Sequence, residues 1–387
     1  MRGSMPGSLK IALLTHSVHP RGGVVHVLEL GRALRERGHE VTVIAPASPG
    51  QRFFRDTPCR VELAAAPPTA ADLADTVSER IAAVRMHLAS LLRRESFDAF
   101  HAHDGIGANA LADLAQHGAI AGYLRTVHHV DRFADDRVQA WELRSIVQAA
   151  QVLCVSALWR GRLRDEHGVH AQQVPNGIDL DRFTPHAVAG DADTLRRQGV
   201  TQGHPVVLSV GGIEARKNTR RLLQAFVMFR KRHPAAQLVI AGGASLLDHV
   251  SEAVAFRTEA AAMGLAIGRG EPIVITGPIP DADMPAIYRG ADVFAMPSLL
   301  EGFGLAALEA LASGTPTVVS DMAPFSEHFV EGEVDWADPM QPAAIADALH
   351  RALVRGRHHV APAVCSRFSW SASAARHETL YRITEPA

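Results

Sequence analysis

The chain has 387 residues, 47% of them hydrophobic, and Lys+Arg 39 stand against Asp+Glu 41 for a net charge of -2. That length predicts two domains, each able to bury a core of its own, and the charge balance excludes the electrostatic footprint of a nucleic-acid binder. No apolar run reaches the ~18 residues of a spanning helix, and the N-terminus lacks the apolar core of a signal peptide. Residues 1–4, Met-Arg-Gly-Ser ahead of Met5, read as a vector-derived leader. Cys59, Cys154 and Cys365 lie far apart in odd number and form no CxxC, the pattern of buried thiols in a reducing cytoplasm. Lysine occurs only at Lys10, Lys217 and Lys231, against 36 arginines.

In chain order, short apolar runs predict strands at 11–15, 41–45, 61–65, 99–101, 123–127 and 152–155, with helical patterns between most of them. The clearest helix is 24–37: Val24, Val27, Leu28, Leu30 and Leu34 fall near one face, and Gly38 supplies a stop. A second series of strands is predicted at 206–210, 238–241, 273–276, 293–295 and 317–319. The intervening stretch 181–203 carries no convincing strand, so the domain boundary is placed there, with domains 1–185 and 186–366 and a closing helix at 367–387. Alternating strands and helices predict an α/β protein with parallel sheets, whose ligands sit beyond the carboxyl ends of the strands.

The motifs follow strands, as that rule requires. Pro20-Arg21-Gly22-Gly23 precedes the first helix, where glycines let backbone N–H groups approach an anion. After 206–210 come Gly211-Gly212, then Glu214-Ala215-Arg216-Lys217 and Asn218 as the N-cap of a helix over 219–232. Two cations beside a helix N-terminus suit a diphosphate. After 293–295 come Glu301-Gly302-Phe303-Gly304 and a helix carrying Glu309; carboxylates suit the hydroxyls of a sugar.

The Glu301-to-Glu309 spacing resembles the E-x7-E pattern of retaining glycosyltransferases of family 4, which have the GT-B fold of two Rossmann-like domains facing a central cleft. Further similar segments are the Pro-x-Gly-Gly loop, Arg37-Gly38-His39-Glu40-Val41, His101-Ala102-His103-Asp104, Val174-Pro175-Asn176-Gly177-Ile178-Asp179, Ser320-Asp321 with Glu327, and Phe368-Ser369-Trp370, whose helix usually crosses back to the N-terminal domain. The resemblance implies that Lys217 holds a donor diphosphate with Arg216 beside it, and that Gly22 and Gly23 close on it from the other domain. It gives Glu301 the transferred sugar and Glu309 the nucleotide ribose. Gly302, Phe303, Gly304 and Leu305 offer backbone N–H groups, and the base lies near Gly277, Pro278 and Ile279. His128 matches a histidine that contacts the transferred sugar. Gly212 departs from the pattern, since many members have Gly-Arg where this chain has Gly211-Gly212, which shifts charge balance onto Lys217 and Arg216.

Among the 21 histidines, His101 and His103 alternate at a strand end and so point to one side. With His128 and His129 they could ligate a metal, but no CxxC or carboxylate spacing supports one, so no metal or other cofactor is expected. His16, His19, His103 and His129 are expected on the acceptor side. The implied reaction moves a sugar from a nucleoside diphosphate, UDP favoured, to a hydroxyl acceptor with retention, the leaving diphosphate taking the acceptor proton. The rivals are a sugar-nucleotide epimerase of the same architecture and a non-catalytic nucleotide-sugar-binding protein. Arginines over 52–60 and 80–94 are expected to be solvated rather than to contact a membrane surface, and the protein is expected in the cytoplasm.

Overall fold

The computed structural model describes residues 7–70, 72–201, 203–243 and 250–383, so the leader expected at 1–4 lies outside the described residues. The chain divides into two compact units, 1–177 with 369–387, and 178–368. The first division therefore falls at Gly177, some residues before the expected 185, and the closing segment rejoins the first unit from Ser369. Gly177 is needed where the chain leaves that unit, because a Cβ there would overlap the backbone of Ser369 and Trp370. Among its described residues the stretch 181–203 holds the short helix Asp191–Arg197 and no strand.

The first unit is built on a parallel sheet of β1 (Lys10–Leu14), β2 (Glu40–Ala47), β3 (Arg60–Ala65), β4 (Ala99–Ala102), β5 (Leu124–Val127), β6 (Gln151–Cys154) and β7 (Gln172–Gln173), in the order β3-β2-β1-β4-β5-β6-β7. Ile11 to Leu14 are all buried, as expected of strands covered on both faces. Helix α1 (Gly22–Glu36) buries Val24, Val27, Leu28, Leu30 and Leu34, and His26 with them. Helix α2 (Gly105–Gln116) is capped by the Asp104 carboxylate, which accepts from Gly107 N–H at 2.8 Å. It packs Ile106, Leu111 and Leu114 into a cluster with Leu14 and Phe100. The terminal helix Trp370–Ile383 lies on α1, with Trp370, His377 and Tyr381 buried.

The second unit carries β8 (Val206–Val210), β9 (Gln237–Ala241), β10 (Ile273–Gly277), β11 (Val293–Met296), β12 (Thr317–Ser320) and β13 (Asp335–Ala337), parallel and in the order β10-β9-β8-β11-β12-β13. Helix α3 (Thr219–Arg230) buries Leu222, Leu223, Phe226 and Phe229 in a cluster with Leu238, Ile240, Ile345 and Leu349. Helix α4 (Leu305–Ala312) follows β11. In each sheet the strand order reverses once, between β1 and β4 in the first and between β8 and β11 in the second. The crevice outside the carboxyl ends of such a pair is where open parallel sheets take ligands. Every motif singled out above on the loops after β1, β4, β8 and β11 lies at one of these two points.

Candidate active site

In the second unit the loop after β8 begins with two glycines in the left-handed region, Gly211 at φ +121 and Gly212 at φ +76. A Cβ on Gly211 would lie 2.8 Å from Lys217 Cε, so the bare backbone is what lets the lysine stem lie along the strand end. Residues Ala215–Lys217 form one 3-10 turn before α3. Asn218 occupies the N-cap position, as the sequence predicts, but makes no side-chain capping bond. Its φ is 60, and its amide instead donates to the carbonyls of Pro297 and Pro339, at 2.9 and 2.7 Å. Together with Leu299 N–H donating to the Arg216 carbonyl at 2.8 Å, this ties the β8 loop to the β11 loop.

That tie brings Lys217 Nζ to 2.6 Å from Glu301 Oε1. Lys217 is 9% exposed and Glu301 7%. Arg216 lies 3.5 Å from the same Glu301 oxygen and 2.9 Å from Glu214. Burial draws the Lys217 ammonium below the usual lysine range, against the pull of Glu301. Burial alone would raise Glu301, but Lys217 and Arg216 hold its carboxyl below the ordinary range. Two residues expected to serve different parts of a donor are thus partners of each other.

Beyond Glu301 the backbone turns through Gly304, at φ +94, into α4; a Cβ there would press on the Phe325 ring. The Phe303 side chain is buried, its ring 4.3 Å from that of His328 and 5.3 Å from that of Phe368, so only its backbone, like that of Gly302 and Leu305, is available to a ligand. Glu309 lies one turn into α4, where its carboxylate accepts from the Tyr288 hydroxyl at 2.7 Å. Sequence reading missed Tyr288, whose buried hydroxyl orients Glu309; a tyrosine in an apolar helix gives no signal of its own until its partner is known. Gly277, at φ +69, closes β10 with open space on its Cβ side, and Ile279 beyond it is buried. A Cβ on Gly212 would come 3.0 Å from the Gly243 carbonyl, and one on Gly242 2.9 Å from Gly212 N. Glycine backbones therefore pack directly on one another over the ends of β8 and β9.

In the first unit, Gly22 opens α1 with nothing within 4 Å of a Cβ, and a Cβ on Gly23 would meet His128 Cδ2 at 3.5 Å. The histidines gather here, though not in the set expected. His101 is bonded on both nitrogens, to Tyr381 Oη at 2.8 Å and Thr126 Oγ1 at 2.7 Å, which leaves it no lone pair for a ligand. His103 is buried, its ring 4.0 Å from that of His101 and 4.9 Å from that of His26. His129 turns to Asp131 at 3.1 Å. His19 is exposed, whereas His16 is part-buried after β1. Burial lowers His16 and His26 to about 3 and carries His101, His103 and His128 well below the ordinary imidazole range, so all five are neutral. His26 and its partner Asn176 were missed by sequence reading. Nδ1 of His26 lies 2.8 Å from Asn176 Oδ1 and donates to it. A histidine three residues past Gly23, on the apolar face of a helix, was the available signal.

The arginines of 52–60 are largely paired, Arg55 with Glu29 at 2.7 Å and Arg60 with Glu95 at 2.8 Å. Among the described residues no helix is long and apolar enough to cross a membrane.

Residues 20–182 match the family described as Glycosyltransferase Family 4, and residues 191–361 match Glycosyl transferases group 1. A phosphatidyl-myo-inositol mannosyltransferase of Mycobacterium tuberculosis is 30% identical over 379 residues, 94% of this chain and 93% of that protein. The chain belongs to glycosyltransferase family 4. As a family 4 glycosyltransferase it has the GT-B fold. A sucrose-phosphate synthase from Thermosynechococcus elongatus superposes with a TM-score of 0.76 at 22% identity, covering 97% of this chain and 98% of that one. An Anabaena protein in complex with UDP and glucose gives 0.74 at 18% identity, over 96% and 99%.

Proposed function

We propose that this glycosyltransferase takes a sugar from a nucleoside diphosphate, with UDP favoured, and transfers it to a hydroxyl acceptor with retention of anomeric configuration. The observation that carries the reading is the buried Lys217–Glu301 pair, set with Arg216 at the point where the second sheet reverses its strand order. A cation and a carboxylate fixed 2.6 Å apart can serve the two ends of a sugar–diphosphate bond at once. Lys217 Nζ, with hydrogens beyond the one given to Glu301, donates to the diphosphate, and Arg216 supplies a second charge from the more exposed side. Glu301 accepts from hydroxyls of the transferred sugar, while the backbone N–H groups of residues 302–305, at the start of α4, face developing negative charge. Glu309, oriented by Tyr288, accepts from the ribose, and the base lies by Gly277 and Ile279. In the first unit, Gly22 and Gly23 offer N–H groups at the start of α1 to an anion, and His128 contacts the sugar. His16, His19, His103 and His129 are the acceptor-side candidates.

As the glycosidic bond breaks, charge accumulates on the leaving diphosphate, and preorganised cations stabilise it without reorganising. The diphosphate oxygen then takes the acceptor proton, so no side chain acts as an obligatory base. With Lys217 and Arg216 in that role, the transfer does not call on a divalent ion at the diphosphate. UDP bound to a structural neighbour supports the choice of base. An inositol-lipid acceptor in a relative supports a polyol hydroxyl as acceptor. The three buried, unbridged cysteines fit a cytoplasmic setting.

The test is a thermal-shift screen of UDP, GDP and ADP with their sugars, since a donor that binds only the native state raises Tm. It is followed by transfer assays with polyol acceptors and NMR of the product anomer. UDP-sugars are expected to give the largest shift, Lys217→Ala and Glu301→Ala to lose most turnover while still folded, and added Mg2+ or Mn2+ not to raise it. Full activity in either variant, or an inverted anomer, overturns the reading.

A further inference from the structure

The proposed sugar contact uses one of the buried imidazoles of the first unit and leaves its neighbours out. His26 Nε2, both nitrogens of His103 and His128 Nε2 are buried and have no hydrogen-bond partner. The proton of His26 is committed to Asn176 at 2.8 Å, so its Nε2 carries a bare lone pair. One donor atom from each of His26, His103 and His128 lies within 4.8 Å of the other two. The rings come from three separate elements: α1 one turn from its start, the loop after β4 and the loop after β5.

We propose that His26, His103 and His128 form a binding site for a transition-metal dication of the zinc class. Burying an imidazole acceptor without a donor is unfavourable, because its hydration is lost with nothing in exchange. A water molecule has two protons to give, whereas a single cation satisfies three converging lone pairs at once. Donors at the corners of a triangle with 4.8 Å edges lie about 2.8 Å from its centre; with Zn–N near 2.0–2.1 Å, each ring moves inward by less than about 1 Å. Asn176 acts as the outer partner that fixes the His26 tautomer, as metal-bound histidines generally require. The set is all imidazole, which selects zinc, cobalt, nickel or copper and excludes magnesium and calcium, whose ligands are oxygens. His101 stacks on His103 but is excluded by its bonds to Tyr381 and Thr126. Of the three ligands only His128 is part-exposed, so the fourth position is open on its side and holds water. The site shares His128 with the sugar contact proposed above, whereas His26 and His103 have no part in that contact.

The experiment is a Co2+ titration of the full-length protein after chelator treatment, followed by Zn2+ displacement and X-ray absorption of the zinc form. One equivalent of Co2+ with intense four-coordinate visible bands is expected, displaced by Zn2+ and not by Mg2+, with three imidazoles at about 2.0–2.1 Å. His103→Ala abolishes the bands. Should that variant fail to fold, Asn176→Ala keeps all three ligands and is expected to weaken binding by about 10–100-fold. The His233 and His350 pair, with nitrogens 3.2 Å apart on the second unit, is the rival locus. The proposal is overturned if wild type binds no equivalent of Co2+, if fewer than three imidazoles surround zinc, if affinity is unchanged in Asn176→Ala, or if His350→Ala removes the bands.

Discussion

Replacing Lys217 by methionine keeps the length of the stem and deletes the charge, leaving the Glu301 carboxylate 7% exposed and without its 2.6 Å partner. Removing one partner of a buried ion pair costs about 3–5 kcal/mol, because the other is left as an uncompensated charge. Arg216, 3.5 Å from the same oxygen, retains part of the compensation and places the cost near the lower end, about 3 kcal/mol. For a unit of this size that corresponds to a fall in Tm of about 6–12 °C. Glu301→Met, which strands the lysine instead, is expected to cost a similar amount. The double variant has an apolar pair in the same space and is expected within about 1 kcal/mol of wild type, so the single effects are strongly non-additive. The pH dependence has a definite sign. In wild type, Glu301 is held below the ordinary carboxyl range, so it contributes stability above its unfolded pKa and loses it as pH falls through the folded one. In Lys217→Met burial acts with much less opposition and Glu301 titrates higher. The deficit is therefore complete at pH 7 and shrinks toward about pH 4, as the stranded carboxylate takes up a proton. Scanning calorimetry of the four proteins across this range is the assay. Additive effects, or a deficit that does not change with pH, would refute the argument.

Gly212→Arg reinstates the arginine common at this position. At φ +76, with a Cβ 3.0 Å from the Gly243 carbonyl, it is expected to lower stability by about 1–3 kcal/mol without tightening donor binding; a tighter donor Kd at unchanged Tm refutes this. Tyr288→Phe removes the hydroxyl that orients Glu309 and is expected to raise donor KM several-fold with a smaller change in kcat, the signature of lost uniform binding. Gly177→Ala sets a methyl against the Trp370 backbone and is expected to cost at least about 1–3 kcal/mol in thermal unfolding. Lys217→Arg keeps the charge but forces a planar guanidinium into the groove beside Gly211, and kcat/KM is expected to fall about tenfold or more; unchanged kinetics would mean that charge alone matters.

Of the strands among the described residues, eleven were legible as apolar runs, most of them because strands buried on both faces must be apolar at nearly every position, while the half-exposed edge strand β3 was legible from Val61 and Leu63. The two that were not, β7 and β13, are short edge strands: Gln172–Gln173 has no apolar residue, and Asp335–Ala337 has a polar first residue. Periodicity also found the buried face of α1, but it treats a polar residue on that face as an interruption. His26 is such a residue, and its meaning depends on Asn176, 150 positions away in sequence. The same limit hid Tyr288, which is buried for its ring and held for its hydroxyl. Pattern reading assigns a residue to a face, but it does not say what waits on the far side of that face.

Lys217 and Glu301 were each visible alone, the first by the scarcity of lysine and the second by its spacing to Glu309. Their pairing was not, since 84 residues separate them and only the order β8-β11 makes the two loops neighbours. That order has a chemical consequence for the proposed reaction. A lysine buried alone would titrate downward, and a glutamate buried alone would titrate upward, so neither would hold its charge where a donor needs it. Facing each other, each favours the charged form of the other against the effect of burial. In the proposed reaction Lys217 shares itself between Glu301 and the diphosphate, and Arg216, 31% exposed and paired with both Glu214 and Glu301, supplies the second cation. Lys217 is the deeper of the two cations and Arg216 the more exposed, and a compact ammonium on a flexible stem suits the deeper position in a chain that nearly always chooses arginine.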